Sequence, residues 1–366
     1  MTKVLRSSLI ILCILSAFIY QLRASDLRSG ADTVSAKKFS TEELIFSHIK
    51  DSYEWHITKI GDNHYSIPLP VIVYSQLSGF HFFMSGKFHH GEEAYEGFKI
   101  ASEGKNARKI VEVLPDGTEV KPWDISITKN VTSLFISILL ILLIFLSVAK
   151  RYSNNHNRAP KGLQNWIEPI ILFIRDDIAK PSLGIKYYQK FLPYLLTIFF
   201  FIFINNVMGL IPFFPGGANL TGNITITMVL AIFTFVITTI SGSRDYWVHM
   251  VNAPGIPWWL KLPIPLMPIV EILSVFIKPF VLTIRLFANI TAGHIIALGF
   301  YSLIFIFAEK SVGAAYGVSV ISVAFNVFMG ILELLVAFIQ AYVFTLLSAI
   351  YIGMAMESHE VHAESH

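Results

Sequence analysis

Cysteine is almost absent: the 366-residue chain has one, Cys13, inside an N-terminal apolar run. That count excludes an internal disulfide framework and a cysteine-ligated metal site. Charge is scarce as well. Asp, Glu, Lys and Arg make up 14% of the residues against about 25% in soluble domains, and 54% are hydrophobic. The net charge of +3 is too small to suggest a nucleic-acid partner. There is no phosphate-binding glycine loop of the P-loop or dinucleotide kind, and no internal repeat. The histidine-rich segment His89-His90-Gly91-Glu92-Glu93 lacks helical ligand spacing such as H-E-x-x-H, so a solvated loop is the better reading. No metal or cofactor is expected.

What the chain has is long apolar runs, which predict an all-α polytopic membrane protein of about five spans. Residues 1–24 start with Lys3 and Arg6 and turn apolar from Leu9 to Tyr20, as in a secretory signal. The edge at Leu22-Arg23-Ala24 fits the small-residue cleavage rule poorly, which leaves an uncleaved N-terminal anchor as the alternative. Residues 25–129 are polar and mixed, and read as an exported, β-containing extension. Alternating runs at 67–74 and 109–113 and a turn at Asp116-Gly117 predict its strands.

The first clear span is 131–149, VTSLFISILLILLIFLSVA, with no charge. Lys150, Arg151, Arg158 and Lys161 follow at once, which makes that loop cytoplasmic and the extension external. Residues 162–190 carry an apolar stripe (Trp166, Ile170, Phe173, Ile174) beside Glu168, Arg175, Asp176 and Asp177 and predict an interfacial amphipathic helix. Spans at 191–214 and 224–240 come next, and Asn205 and Asn206 within the first need partners in lipid. A cytoplasmic segment at 241–262 carries Arg244, Lys261, Trp258 and Trp259. Two helical regions, to about Phe307 and from Val312 to Met356, exceed one straight crossing, so they should be long and tilted, with Pro279 as a place for a kink. The tail, 358–366, ends inside. Membrane domain and tail meet near residue 357, and the membrane domain begins at about residue 130.

The chemistry lies in the first long region. Glu271, Lys278, Arg285 and Asn289 fall in one narrow sector at 100° per residue, and His294 projects from the opposite side of Arg285. An arginine inside a span costs roughly 2.5–3.5 kcal/mol even on lenient scales, and it does not release its proton. Arg285 is therefore a fixed charge with a functional reason to be there. In the last span Glu333 and Gln340 share a face. His294 lies about 13 Å outward of Arg285 and Glu333 about 10 Å outward of Gln340 at 1.5 Å per residue. If Arg285 and Gln340 are level in this antiparallel pair, so are His294 and Glu333, which together can pass protons. Lys278 is as well explained by snorkelling, and Glu271 by an interfacial role.

Lys278-Pro279, the run IRLFANITAGH from Ile284 to His294, and the stretch Gln340-Ala341-Tyr342-Val343-Phe344 resemble subunit a of the F-type ATP synthase. WDISITKNVTSLFIS, INNVMGLIPF and GNITITMVLA also follow that family, so the resemblance runs from Trp123 to Glu357. It implies a stator subunit that is not catalytic alone, packed against the ring of c subunits and held with the b-subunit peripheral stalk. Two proton half-channels would reach the ring carboxylates. Arg285 matches the family's essential arginine, Asn289 and Gln340 would orient the encounter, and His294 and Glu333 match half-channel positions. Some members carry those two residue types in exchanged places. A bacterial inner membrane is implied, with the N-terminal domain outside and the C-terminus cytoplasmic. The extension has no counterpart in the short members.

Three other readings stand beside this one. A stand-alone ion channel or secondary transporter would be expected to show inverted or parallel repeats. A membrane-anchored enzyme would need a nucleophile–base set or metal motif in the extension, and the sequence has neither. Sodium in place of H⁺ would favour oxygen ligands over His294.

Overall fold

The computed structural model describes residues 50–60, 63–91, 93–102, 104–154, 162–211, 214–251 and 266–356. The signal-like segment 1–24, residues 25–49, Arg158, Lys161, Trp258, Trp259, Lys261 and the tail 358–366 lie outside the described residues.

Among its described residues the extension has eight short strands: β1 (Glu54–Ile60), β2 (Asn63–Pro68), β3 (Pro70–Ser75), β4 (Gly79–Met84), β5 (Phe98–Ile100), β6 (Ile110–Val113), β7 (Glu119–Val120) and β8 (Trp123–Asp124). They form a β1–β2 pair, a sheet ordered β4-β3-β8 and a sheet ordered β5-β6-β7, the last two antiparallel. The apolar run expected at 67–74 is divided between β2 and β3 around Leu69, because Pro68 and Pro70 flank it and carry no N–H for a continuous ladder. The expected turn at Asp116-Gly117 closes β6 to β7. Gly117 sits at φ 82°, a region that costs other residues strain, and Asp116 Oδ1 accepts from the Thr118 N–H at 2.9 Å.

Between the two larger sheets Val71, Val73, Phe83, Phe88, Phe98 and Ile110 make a core with Tyr53. Inward Glu112 is buried but satisfied, accepting hydrogen bonds from the Ser75 and Ser78 hydroxyls. The histidines pair with carboxylates. His81 Nδ1 and His90 Nδ1 lie 2.8 Å from Glu96 and Glu54 respectively, and His89 is 3.6 Å from Glu93.

Helices follow: α1 (Lys129–Asn154), α2 (Leu163–Phe173), a π-helical turn (Ile174–Ala179), α3 (Lys180–Leu210), α4 (Ile224–Ser241), α5 (Arg244–Val251), α6 (Leu266–Ala308) and α7 (Val312–Met356). Among the described residues five segments are long and apolar enough to cross a membrane: 129–153, 163–210, 224–241, 269–308 and 312–356. The chain is a mostly helical polytopic membrane protein whose N-terminal region carries strands.

The stripe expected on the amphipathic helix does not share one environment. Trp166 is 78% exposed, whereas Ile174 is fully buried. A π-helical turn opens at Ile174, in which Ile174, Ile178 and Ala179 face inward and Asp176 stays outside, held by Arg175 and Lys180. The sharp break comes later, at Gly184 (φ 71°, ψ 166°), a conformation glycine alone adopts readily. No such break interrupts α6, which runs unbroken through Pro279. At 1.5 Å per residue α6 and α7 are each about 65 Å long, about twice a hydrocarbon layer of about 30 Å.

The helical core centres on α3 and α7, with α4 packed on α6. Phe199 and Phe203 of α3 meet the Phe338 ring of α7 edge-on at 5.7 and 5.8 Å. Gly353 of α7 lets the backbone of Ser182 approach so closely that a Cβ would collide with its carbonyl. Tyr194, Thr234 and Ser348 join three helices by hydroxyl hydrogen bonds of 2.9 and 3.2 Å.

Candidate functional site

The α6–α7 hairpin is antiparallel, turned at residues 309–311. Its register is carried by two contacts. Phe300 and Phe325 have ring centroids 3.8 Å apart, and His294 Nδ1 lies 3.7 Å from Glu333 Oε1. Continued along the hairpin, the same register sets Gln340 opposite the turn between Arg285 and Asn289.

A cavity of about 360 Å³ opens here, and Asn206, Asn289, His294, Glu333 and Gln340 supply its polar lining. That space is far beyond the ~10–15 Å³ one water needs. His294 and Glu333 are each mostly buried, their side chains 16% and 14% exposed. Gly293 makes their approach possible, since a Cβ there would overlap Glu333 Oε1. Gly209 of α3 lies on the other side of the ring, where a Cβ would stand at ordinary contact distance, 3.6 Å, from His294 Nε2. Helix-wheel geometry set His294 opposite Arg285, and Arg285 is not among the residues lining this cavity; Asn289 is, since the cavity reaches partway round α6.

Asn206 emerges from packing between distant segments. Its Nδ2 donates to the Ala337 carbonyl at 3.3 Å and its Oδ1 accepts from Thr221 at 2.6 Å, all three residues being buried. Sequence reasoning asked only that it find an interhelical partner; the side chain also fixes the α3–α4 connection to α7. Asn205 donates instead to its own helix, at Phe201 O.

Toward the other end of α6 a smaller cavity, about 20 Å³, is lined by Lys278, Tyr351, Tyr246, Thr234 and Thr238 among others. The Lys278 ammonium lies 5.3 Å from the centre of the Tyr351 ring, a cation–π contact. Burial and then nearby Glu271 push the Tyr246 hydroxyl pKa up, which places Glu271 beside the Lys278 end of the site.

Arg285 falls between the two cavities along α6. It is exposed, and it makes no ion pair or hydrogen bond among the described residues. Around it Phe280 is 65% exposed, Ile284, Ala288 and Ala292 are exposed too, and Asn289, one turn on, is the exposed polar neighbour. Two asparagines that open Asn-x-Ser/Thr triplets serve the backbone of the α3–α4 connection. Asn223 caps α4 through Thr225 N and Asn219 closes a turn to Gly222 N.

A family profile described as ATP synthase A chain matches residues 131–353, which is more than half of the chain and includes both cavities and Arg285. The chain belongs to the ATP synthase subunit a family. ATP synthase subunit a of Chloroherpeton thalassium is 44% identical over 253 residues, 67% of this chain and 71% of that protein. ATP synthase subunit a 2 of Chlorobaculum tepidum is 46% identical over 254 residues, covering 68% and 67%. The Chlorobium phaeobacteroides subunit a is 40% identical over 298 residues, covering 76% and 82%. The subunit a chain is thus a proton-translocating, multi-pass membrane component of a complex and not a stand-alone catalyst. Residues 44–129 match a second profile, a domain of unknown function.

Proposed function

We propose that this chain is the stator of the ATP synthase membrane sector, with Arg285 facing the carboxylates of the c-subunit ring. The observation that carries the reading is the guanidinium of Arg285, exposed and without an ion pair or hydrogen bond among the described residues, on a largely apolar helix face that it shares with Asn289. A charge that cannot be lost needs an anion when that face is covered by a partner in lipid. A ring carboxylate arriving there is favoured in its ionised form by the adjacent positive charge and gives up its proton. Arg285 itself relays nothing, so it blocks a direct path between the two sides.

The two cavities flanking Arg285 along α6 are then two half-channels. In the larger, His294 and Glu333 exchange the proton with water, and Asn289, Gln340 and Asn206 orient the groups beside it. In the smaller, Lys278 and Glu271 support the opposite mouth. Each proton crossing the full potential supplies about 2.3 kcal/mol per 100 mV, which the ring converts to rotation. The chain sits in a bacterial inner membrane beside the b-subunit stalk, residues 25–129 outside after a signal or anchor at 1–24, the membrane domain over 130–357, and the tail inside.

Cysteines at Ile284 or Ala288, in a Cys13→Ser background, test the contact. Oxidation against a cysteine on the outer ring helix should give a cross-linked pair that stops ATP-driven pumping until reduced. An assembled complex that gives no such product would contradict the rotor-facing assignment.

A further inference from the structure

The extension carries an apolar surface that the proton pathway does not use. In the β4-β3-β8 sheet, alternate residues point away from the extension's core, and register brings them together: Tyr74 is opposite both Phe80 and Trp123, and Ile72 is opposite Phe82. Ile125 joins the same face by donating its N–H to Ile72 O at 2.9 Å. Phe80, Phe82, Trp123 and Ile125 are each 62–69% exposed, and Tyr74 and Met84 add 50% and 41%. No charged side chain of these three strands alternates onto this face. An unbroken apolar patch of this extent on a polar domain marks an interaction surface.

Its position identifies the partner. Six residues after Ile125 the charge-free run of α1 begins, with Phe135 59% and Leu139 58% exposed as a lipid-facing stripe. At about 3.3 Å per extended residue, that separates the patch from the hydrocarbon edge by no more than about 20 Å. The domain is also fastened there. The Lys129 N–H donates to Ser52 O at 2.9 Å, and the Asn130 N–H to Asp51 Oδ1 at 3.0 Å, so the extension caps the first turn of α1. A second attachment falls on the α3–α4 connection, where Trp55 meets the Phe214 ring edge-on at 5.2 Å. Both attachments are at the ends of membrane helices, where the headgroup layer lies. Trp and Tyr, with an apolar body and a polar tip, are the residues that favour that layer.

We propose that this sheet face rests in the lipid headgroup layer at the α1 end of the bundle and is a monotopic membrane contact added to the spanning helices. The occupant is the bilayer, which meets the patch without needing any charge or strand-edge complementarity from it.

The test uses the assembled complex in liposomes, with Cys13→Ser and a spin label at Phe82→Cys or Ile125→Cys. Lys105→Cys, exposed elsewhere on the extension, is the control. At the patch, collisions with a water-soluble nickel chelate should be lost and collisions with oxygen gained relative to the control. Nickel collisions equal to the control would place the face in water and overturn the proposal. Low collisions with both reagents would overturn it too, because a protein surface then covers the patch. The two label sites are independent, so either assembled variant decides the question.

Discussion

The His294 imidazole and the Glu333 carboxylate face each other at 3.7 Å across the α6–α7 hairpin, at the edge of a cavity wide enough for water. The proposed relay requires one imidazole and one carboxylate in contact, on either helix. His294→Glu or Glu333→His alone should therefore lower ATP-driven proton pumping by about tenfold, near 1.4 kcal/mol. The exchanged pair should recover most of it at matched assembly. A double variant no better than the poorer single one would show that position matters and pairing does not.

Gly293 is the second lever on the same pair. A methyl group there overlaps the Glu333 carboxylate, which must swing away because the backbone of α6 cannot. Gly293→Ala should leave the complex assembled, since alanine suits a helix better than glycine, yet reduce proton pumping by several-fold to about tenfold. Pumping at the wild-type rate would mean that the Glu333 position is not critical.

Asn206 has a structural duty separable from proton movement. Asn206→Leu leaves the Thr221 hydroxyl and the Ala337 carbonyl without their buried partner. The cost should be about 1–3 kcal/mol. A thermal ramp on the purified complex should show earlier loss of this subunit, and Asn206→Leu melting with wild type would refute the bridging role.

Much of this was legible in the sequence, for reasons that differ by element. A charge-free run above ~18 residues suits a bilayer crossing and little else, which marked 131–149 outright, whereas the regions holding Arg285 and Glu333 were placed by their length and apolar content. The His294–Glu333 juxtaposition followed from helical rise in an antiparallel pair once Arg285 and Gln340 were taken as level, and that register is set by packing. Asn206 was another matter. Its partner Ala337 is 131 residues away, and nothing local marks which carbonyl it meets. Tyr351 as the seat of Lys278 was hidden for the same reason. The π-helical turn at Ile174 changes which residues face inward, and a fixed 100° step does not anticipate it. In the extension, strands as short as two residues left the sheet order, and with it the aromatic face, to tertiary pairing.

The extension should have an alkaline limit set by Tyr53. Burial, then its hydrogen bond to Asp124, push the phenol pKa well above its ordinary value. The proton is thus held more tightly in the folded state. Stability should be unaffected below about pH 10, the ordinary tyrosine value, and fall as pH rises beyond it, because the unfolded chain ionises first. Tyr53→Phe should lose that pH dependence while costing about 1 kcal/mol at neutral pH. Protease cutting in the extension, followed against pH, measures both; an identical alkaline profile in the two proteins would rule Tyr53 out.

The most direct test of the stator assignment is acidification of inverted membrane vesicles on addition of ATP, comparing wild type with Arg285→Ala at matched complex content. Pumping should be abolished while the complex stays assembled and ATP hydrolysis can be measured. Unchanged acidification by Arg285→Ala would contradict the placement of this charge at the rotor contact.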